Sequence, residues 1–267
     1  TNPSAKYDPD GVGGIINIVM KRGALDGFNG TISSMAGEYN KANLNGNLNY
    51  RTKNFNVFTN ANYRTGNRIG DGKREFDYIY PSSSDKVYTS TYRKKTPNDF
   101  GLRFGGDYYP SKASTIGYTF DISEHNETTI QEFNYIENTL NPNMVGILET
   151  TETDDGLHMD HVLSYENKYD SEAELLKAYV SYSYEVDDVK EVGAMDSEYG
   201  ANFSGNSTMA SEDNNNFTAS VDYENKFGEK LGYELGAKAT IRDFEKDLTY
   251  LQNIYENDYE EDIYAAY

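Results

Sequence analysis

Apolar and polar residues alternate along much of this chain with the period of two that belongs to a β-strand. From residue 41 to 50, apolar residues and Gly occupy the even positions, whereas Lys41 and four asparagines occupy the odd ones. The alternation resumes after three residues, with Phe55, Val57 and Tyr63 on the apolar side. The pattern predicts a tight turn between two strands of about ten residues, the length of a tilted strand that crosses hydrocarbon.

Similar pairs of alternating segments recur three more times. These pairs meet at predicted tight turns near residues 110–113, 170–173 and 227–230. With one further strand at residues 28–36, the pattern predicts about nine to ten antiparallel strands. No stretch reaches 18 consecutive apolar residues, so strands are the only elements with which this chain could span a bilayer.

Long and short connections alternate along the chain. The tight turns are separated by long polar stretches at residues 64–97, 124–157 and 188–213, which we expect to be loops that carry any ligand contacts. Compact soluble domains seldom contain three structureless loops of that size, whereas outer-membrane barrels have short turns on one rim and long loops on the other. The predicted fold is an all-β, antiparallel, up-and-down transmembrane β-barrel.

Composition supports this fold. A mean hydropathy of −0.79 and a hydrophobic content of 37% are low for a soluble core, but they fit a barrel whose inner face is wet. Tyrosines near the short turns are typical of the aromatic girdle at a membrane interface. They are Tyr50, Tyr108, Tyr118, Tyr169, Tyr223 and Tyr233. The absence of cysteine excludes disulfides and thiolate metal sites.

The first 22 residues carry a more specific signal. Asn-Pro-Ser-Ala-Lys-Tyr at residues 2–7 is followed by Gly-Gly-Ile-Ile-Asn-Ile at 13–18 and then by Lys-Arg. This sequence motif closely resembles the end of the plug domain in TonB-dependent outer-membrane receptors. The residues that carry the resemblance are Asn2, Pro3, Ala5, Tyr7, Gly13, Gly14 and Asn17. Because the chain starts inside this motif, we expect it to be an internal piece of a longer precursor.

The resemblance implies both an architecture and a function. Residues 1–22 would be the C-terminal end of a plug, and residues 23–267 the N-terminal portion of a barrel that has 22 strands in such transporters. The implied protein lies in the outer membrane of a Gram-negative bacterium, with its short turns in the periplasm. It would bind an iron chelate, cobalamin, oligosaccharide or peptide and import it with TonB-coupled energy. Implied partners are outer-membrane lipid, the TonB complex through a segment outside this chain, and a surface lipoprotein.

Charge is distributed unevenly along the chain, whose formal net charge is −20. Residues 124–160 hold nine acids and no Lys or Arg, whereas residues 64–97 hold eight Lys or Arg and four acids. Nucleic acid is therefore a poor partner. The acidic stretches could attract cationic or metal-bearing cargo, could be bridged by divalent ions to lipopolysaccharide, or could be solvated loop surface.

Two histidines lie close together in an acidic segment. This segment has three interpretations. Its side chains His158, Asp160 and His161 could be ligands of Zn or a similar ion, they could include the catalytic Asp/His pair of a barrel protease, or they could be the inert end of a loop. In a strand, His158 and His161 would point to opposite faces. No Ser-His-Asp order, phosphate loop or cofactor motif stands out, so neither an enzyme nor a cofactor is expected.

A cell-surface adhesin or a soluble β-sandwich binding module is the alternative. The two hypotheses differ in where the apolar side of the strands lies. A soluble module would enclose Leu44, Val57, Phe104 and Phe120 in a closed core, whereas a membrane barrel would turn them outward.

Overall fold

The structure is a computed structural model that describes residues 26–79, 84–137, 144–169, 174–197, 202–227, 231–256 and 259–266. These residues form one antiparallel β-sheet, which confirms the predicted all-β, up-and-down fold. None of them belongs to a helix long and apolar enough to cross a membrane.

Eleven strands make up the sheet in the described residues. In chain order they are β1 (Gly27–Gly37), β2 (Lys41–Arg51), β3 (Phe55–Thr65), β4 (Arg68–Ile79), β5 (Ser84–Tyr108), β6 (Ser114–Glu137), β7 (Met144–Lys168), β8 (Leu175–Ser197), β9 (Asn202–Phe227), β10 (Leu231–Glu256) and β11 (Tyr259–Ala266).

Each strand pairs with its neighbours in chain order, except around β4. Both β3 and β4 pair with β5, β3 with its second half and β4 with its first half. Only Gly66 and Asn67 separate β3 from β4, so the two act as one long, bent strand. The sheet is therefore a meander of ten up-and-down runs in the described residues, within the predicted nine to ten.

The bend between β3 and β4 is built around Gly66. Its φ of 135° favours glycine, and a Cβ there would lie 2.5 Å from the Cα of Lys41. The next backbone N–H, of Asn67, donates to the carbonyl of Tyr39 in the β1–β2 turn at 2.8 Å. The short β1–β2 hairpin thus ends against the bend, and above it β4 pairs with β5 alone.

The stretches predicted as long loops are mostly strand. Residues 64–97 form β4 and much of β5, and both β6–β7 and β8–β9 extend as paired hairpins through the other two stretches. Cross-strand hydrogen bonds satisfy the backbone there. The sequence pattern missed these strands because many side chains are polar on both faces, which removes the hydropathy alternation.

Register brings the apolar residues of successive strands together on one face, here called the belt face. One row of partners crosses six strands from β5 to β10 through Phe104, Phe120, His161, Tyr182, Phe217 and Ile241. Their side chains remain open: Phe104 is 47% exposed and Ile241 is 69% exposed. Among the described residues, Val87 and Pro97 are the only apolar side chains larger than alanine that are buried.

The belt has sharp ends. On β3 it runs from Phe55 to Tyr63 and on β10 from Leu231 to Ile241, after which the same face of β10 carries acidic residues. Nine to eleven residues span about 27–34 Å along a strand. After correction for strand tilt, that length matches the apolar band of about 25 Å around an outer-membrane barrel.

The belt also runs obliquely to the hydrogen-bonding rows. The row of cross-strand partners that starts at Phe55, where the belt begins on β3, reaches β10 at Ala237. The belt on β10 begins six residues nearer the short turns, at Leu231. The upper boundary, level with Tyr63, falls by four residues over the same six strand spacings. Such shifts correspond to a strand tilt of about 25–35° against the belt, approaching the 35–45° typical of barrels.

Tyrosines lie where the belt meets the short turns. Tyr50, Tyr108 and Tyr118 are on the belt face near the first two turns, and the rings of Phe55 and Tyr108 stack with centroids 4.9 Å apart. On β9 and β10 the rings of Tyr223 and Tyr233 are 6.2 Å apart. This arrangement agrees with the predicted aromatic girdle.

Candidate ligand-binding face

The face opposite the belt is polar and concave. It carries a cleft of about 550 Å³ that is lined from β2, β3, β5, β6, β7 and β8. Residues of six neighbouring strands, which lie about 4.8 Å apart in a sheet, line this one cleft, as expected of a sheet that curves around its polar face.

A carboxylate bridges two strands at the centre of this cleft. Asp99 on β5 accepts a hydrogen bond from Nε of Arg64 on β3 at 2.7 Å, and its other oxygen lies 2.5 Å from Nδ1 of His125 on β6. Nε2 of His125 lies 3.9 Å from a carboxylate oxygen of Asp154 on β7. Arg64, Asp99, His125 and Asp154 thus form a polar chain across four adjacent strands, which we call the cleft chain.

Asp99 is charged under ordinary conditions. Its burial would raise its pKa, but hydrogen bonds from His125 and Arg64, together with the charge of Arg64, outweigh that effect and hold the pKa below its usual range. The residue lies just above the level at which the belt ends on β5. The cleft chain therefore holds strands β3, β5, β6 and β7 together at the level where the belt ends.

Two more ion pairs join β5 to β6. Arg103 Nε lies 2.5 Å from Asp121 Oδ1, and Lys95 pairs with Glu127 farther from the belt. Burial would raise the pKa of Glu127, but the hydrogen bond and charge of Lys95, with smaller contributions from His125 and Arg68, lower it. The cationic member of each of these two pairs lies on β5, so cations dominate the local electrostatic potential on the β5 side of the β5–β6 pairing.

The predicted histidine cluster is split between the two faces. His158 and Asp160 lie on the polar face, where His158 Nε2 is 2.9 Å from Asp160 Oδ2. His161 lies on the belt face, where Nδ1 is 2.9 Å from the Tyr118 hydroxyl and its ring packs 4.7 Å from that of Phe120. The three side chains therefore do not converge on one ion.

No group of three or more His, Cys, Asp or Glu side chains in the described part of the chain could hold a metal ion. The plug-end residues fall outside the described residues. They are Asn2, Pro3, Ala5, Tyr7, Gly13, Gly14 and Asn17.

Sequence reasoning missed the cleft chain. Its members are spread from residue 64 to residue 154, and three of the four, Arg64, His125 and Asp154, lie in stretches that the sequence pattern predicts to be loops. The alternation that predicts the strand before the 110–113 turn begins at Phe100, and continuing it one residue upstream places Asp99 on the polar face. The pairing of Asp99 with His125 depends on register, which the geometry of the β5–β6 turn sets and the alternation of either strand alone does not.

Charge on the polar face is divided between its two sides. Cations dominate on β3, β4 and β5, where they are Arg64, Arg68, Arg74, Arg93, Lys95 and Arg103. Acids dominate on the polar face of β6, β7 and β8, among them Asp121, Glu127, Asp154, Asp160, Glu185 and Asp187. The concave surface is therefore bipolar rather than uniformly acidic.

Comparison with known proteins gives limited similarity. No family model and no curated protein matches the chain. Among solved structures, the ferric citrate transporter FecA in its unliganded form is 13% identical with a TM-score of 0.23, over 93% of this chain and 47% of that one. The siderophore receptor PiuA from Acinetobacter baumannii is 9% identical with a TM-score of 0.20, over 89% of this chain and 50% of that one.

The chain thus spans about half the length of these two receptors. A loop-deletion mutant of OmpT, an outer membrane protein of Vibrio cholerae, matches over 83% of this chain at 8% identity and a TM-score of 0.10.

Proposed function

We propose that this chain is part of the wall of a TonB-dependent outer-membrane receptor, which binds a scarce ligand at its external surface and imports it. The single observation that carries the proposal is the oblique apolar belt. A band about 25 Å tall, continuous over the neighbouring strands and tilted against their rows, is the surface that a bilayer requires of a barrel. The plug-like wording of residues 2–18 supports the more specific assignment to a receptor.

The belt face weighs against the soluble alternative. Leu44 is 51% exposed, Val57 is 40% exposed and Phe104 is 47% exposed, so these side chains do not lie in a closed core. In water each would forgo roughly half of the 1.5–3 kcal/mol that full burial contributes, whereas hydrocarbon supplies that contribution when it covers the belt. A β-sandwich would need a second sheet on this face, and the described residues form only one.

The polar face suits the ligand side of such a receptor. In the proposed orientation the short turns lie in the periplasm, and the extended hairpins β4–β5, β6–β7 and β8–β9 rise outside the cell. Extension by paired strands makes these hairpins stiffer than loops, because each residue is held by cross-strand hydrogen bonds. An incoming ligand would then meet the bipolar concave surface, and TonB would supply the energy through a segment outside this chain.

Growth under nutrient limitation tests this function. A strain that lacks the gene should grow more slowly than its complemented parent when one class of nutrient is limiting: iron chelates, cobalamin, oligosaccharides or peptides. Removal of TonB should produce the same defect, because uptake needs energy from the inner membrane. Fractionation of the protein as a soluble monomer, with growth unaffected on every class, would rule the receptor out.

A further inference from the structure

The hairpin formed by β4 and β5 carries three arginines that the cleft chain does not use. Arg68 and Arg74 lie on the polar face of β4, and Arg93 lies on the same face of β5. All three side chains are exposed, and none forms an ion pair within the described residues. In a chain with a net charge of −20, a group of unpaired cations on one face is unusual.

The floor between these arginines is open. Gly70 and Gly72 separate Arg68 from Arg74 on the polar face of β4, and Arg93 is the direct cross-strand partner of Gly70. A Cβ at either glycine would have nothing within 4 Å. The three arginines therefore surround a stretch of bare backbone about 20 Å long.

The local potential around this floor is positive. Lys95 is the cross-strand partner of Arg68, which places two cations directly opposite each other. Such a pair is destabilising unless an anion lies nearby. Glu127 partly compensates at the lower end through its pair with Lys95, but no described acid pairs with Arg74 or Arg93 at the upper end. Among the side chains that the structure describes, none therefore supplies negative charge where the floor of the site is open.

We infer that Arg68, Arg74 and Arg93 form a binding site for a small polyanion, a solute with two or more carboxylate or phosphate groups. The inference rests on the proposed receptor function and names a chemical class for its ligand. Guanidinium groups bind carboxylate and phosphate in bidentate geometry, and their spacing along the floor suits several anionic groups better than one. The acidic β6–β8 side repels such a solute, which directs it to the β4–β5 side.

Phosphate could also come from lipid A, whose headgroup would approach from the opposite face. The hairpin offers a matched comparison, because Lys73 and Lys94 are sequence neighbours of Arg74 and Arg93 but lie on the outward face. A double variant R74Q/R93Q and a double variant K73Q/K94Q remove the same charge from the same two strands. Only the face differs.

The test is isothermal titration calorimetry on the full chain in detergent, with inorganic pyrophosphate and benzene-1,3,5-tricarboxylate as soluble probes. We expect R74Q/R93Q to weaken binding of at least one probe about tenfold or more, since each lost charge-assisted pair contributes strongly. K73Q/K94Q should change the affinity less than about twofold, and R68Q should have an intermediate effect because Arg68 also acts on Glu127.

Three results would overturn the inference. The first is that the unmodified protein binds neither soluble probe. The second is that both double variants weaken probe binding equally. The third is that the protein binds lipid A vesicles but no soluble probe, and that only K73Q/K94Q weakens this vesicle binding. Flotation of R74Q/R93Q with liposomes is measured in parallel. Retained flotation with lost probe binding separates failure of this site from failure of the membrane assignment.

Discussion

At the scale of single residues, the polar face is ordered by charge pairs that register creates. Asp99 is the clearest case, because it joins Arg64 and His125 from the strands on either side of β5. Its side chain is only 14% exposed, so its charge is shielded from water more than that of a typical surface ion pair. The stability of the sheet above the belt should therefore depend on this carboxylate.

Replacement of Asp99 by Asn should lower the free energy of unfolding by about 1 kcal/mol near neutral pH, because two charge-assisted hydrogen bonds weaken. The folded-state pKa of Asp99 is lowered, so its contribution is fully present above the ordinary carboxyl pKa of about 3.9 and is lost as pH falls through the depressed value. Thermal unfolding of both proteins in detergent between pH 3 and 7 measures this.

Asp71→Asn on β4 is the matched control, since Asp71 is exposed and forms no ion pair in the described ranges. The control should unfold at the temperature of the unmodified protein throughout. A difference between D99N and the unmodified protein that persisted unchanged at pH 3 would contradict the assigned role of the Asp99 charge.

At the scale of the strand, successive residues of one strand face two different environments. The lower part of β8 alternates between belt and polar face, with Val180 42% exposed on the belt and Ser183 on the polar face between Asp160 and Asn216. Above the belt charged residues appear on both faces, with Asp188 and Lys190 on the side of the belt and Asp187 and Glu191 on the polar side. In the proposed receptor a strand of this kind has no core position in the usual sense, because lipid would take the place of the core.

Replacement of Val180 by Arg should therefore destabilise the protein in a bilayer by about 2–4 kcal/mol, the usual cost of Arg on the lipid face near the midplane. Ser183→Arg on the same strand should cost little, because the side chain can reach water and Asp160. Folding yield in liposomes, followed by protection from protease, compares the two. If both variants folded equally well, the belt would not face lipid.

At the scale of the whole molecule, the sheet has two rims with different construction. The tight turns predicted near residues 51–53 and 110–113 lie at one rim, together with the lower ends of β7 to β10, and paired hairpins extend the other rim. The β1–β2 hairpin is the exception on the extended rim, where it ends early, at the turn that contains Tyr39 and Asn40. In the proposed orientation, residues 38 and 53 lie on opposite sides of the outer membrane.

Single cysteines at these positions test the orientation directly, since the chain has no cysteine of its own. In intact cells, Glu38→Cys should react with a membrane-impermeant maleimide. Lys53→Cys, in the β2–β3 turn, should react only after the outer membrane is permeabilised. Reaction of Lys53→Cys alone in intact cells would invert the proposed orientation, and reaction of both would contradict the membrane-spanning sheet.

The sequence by itself determined the strands that cross the belt, the tight turns near residues 51–53 and 110–113, and the face of each strand that is apolar. Residues 170–173 and 228–230, at the other two predicted turns, lie outside the described residues. These follow from alternation and turn residues, which are local properties of the chain, so they can be predicted without knowing any long-range contact. The same local rule failed at residues 124–157, where polar side chains occupy both faces and leave no periodic signal. It also separated His158 from His161, as the structure confirms.

Only the tertiary structure decided how the strands align. Register placed Asp99 beside His125, gathered three arginines around Gly70 and Gly72, and gave the belt its oblique course. Register depends on the sum of many weak cross-strand contacts and on the geometry of each hairpin, and neither is written in a single strand. The candidate ligand-binding face therefore depends on the alignment of all the strands of the sheet, whereas the apolar residues of the belt are already present in each separate strand.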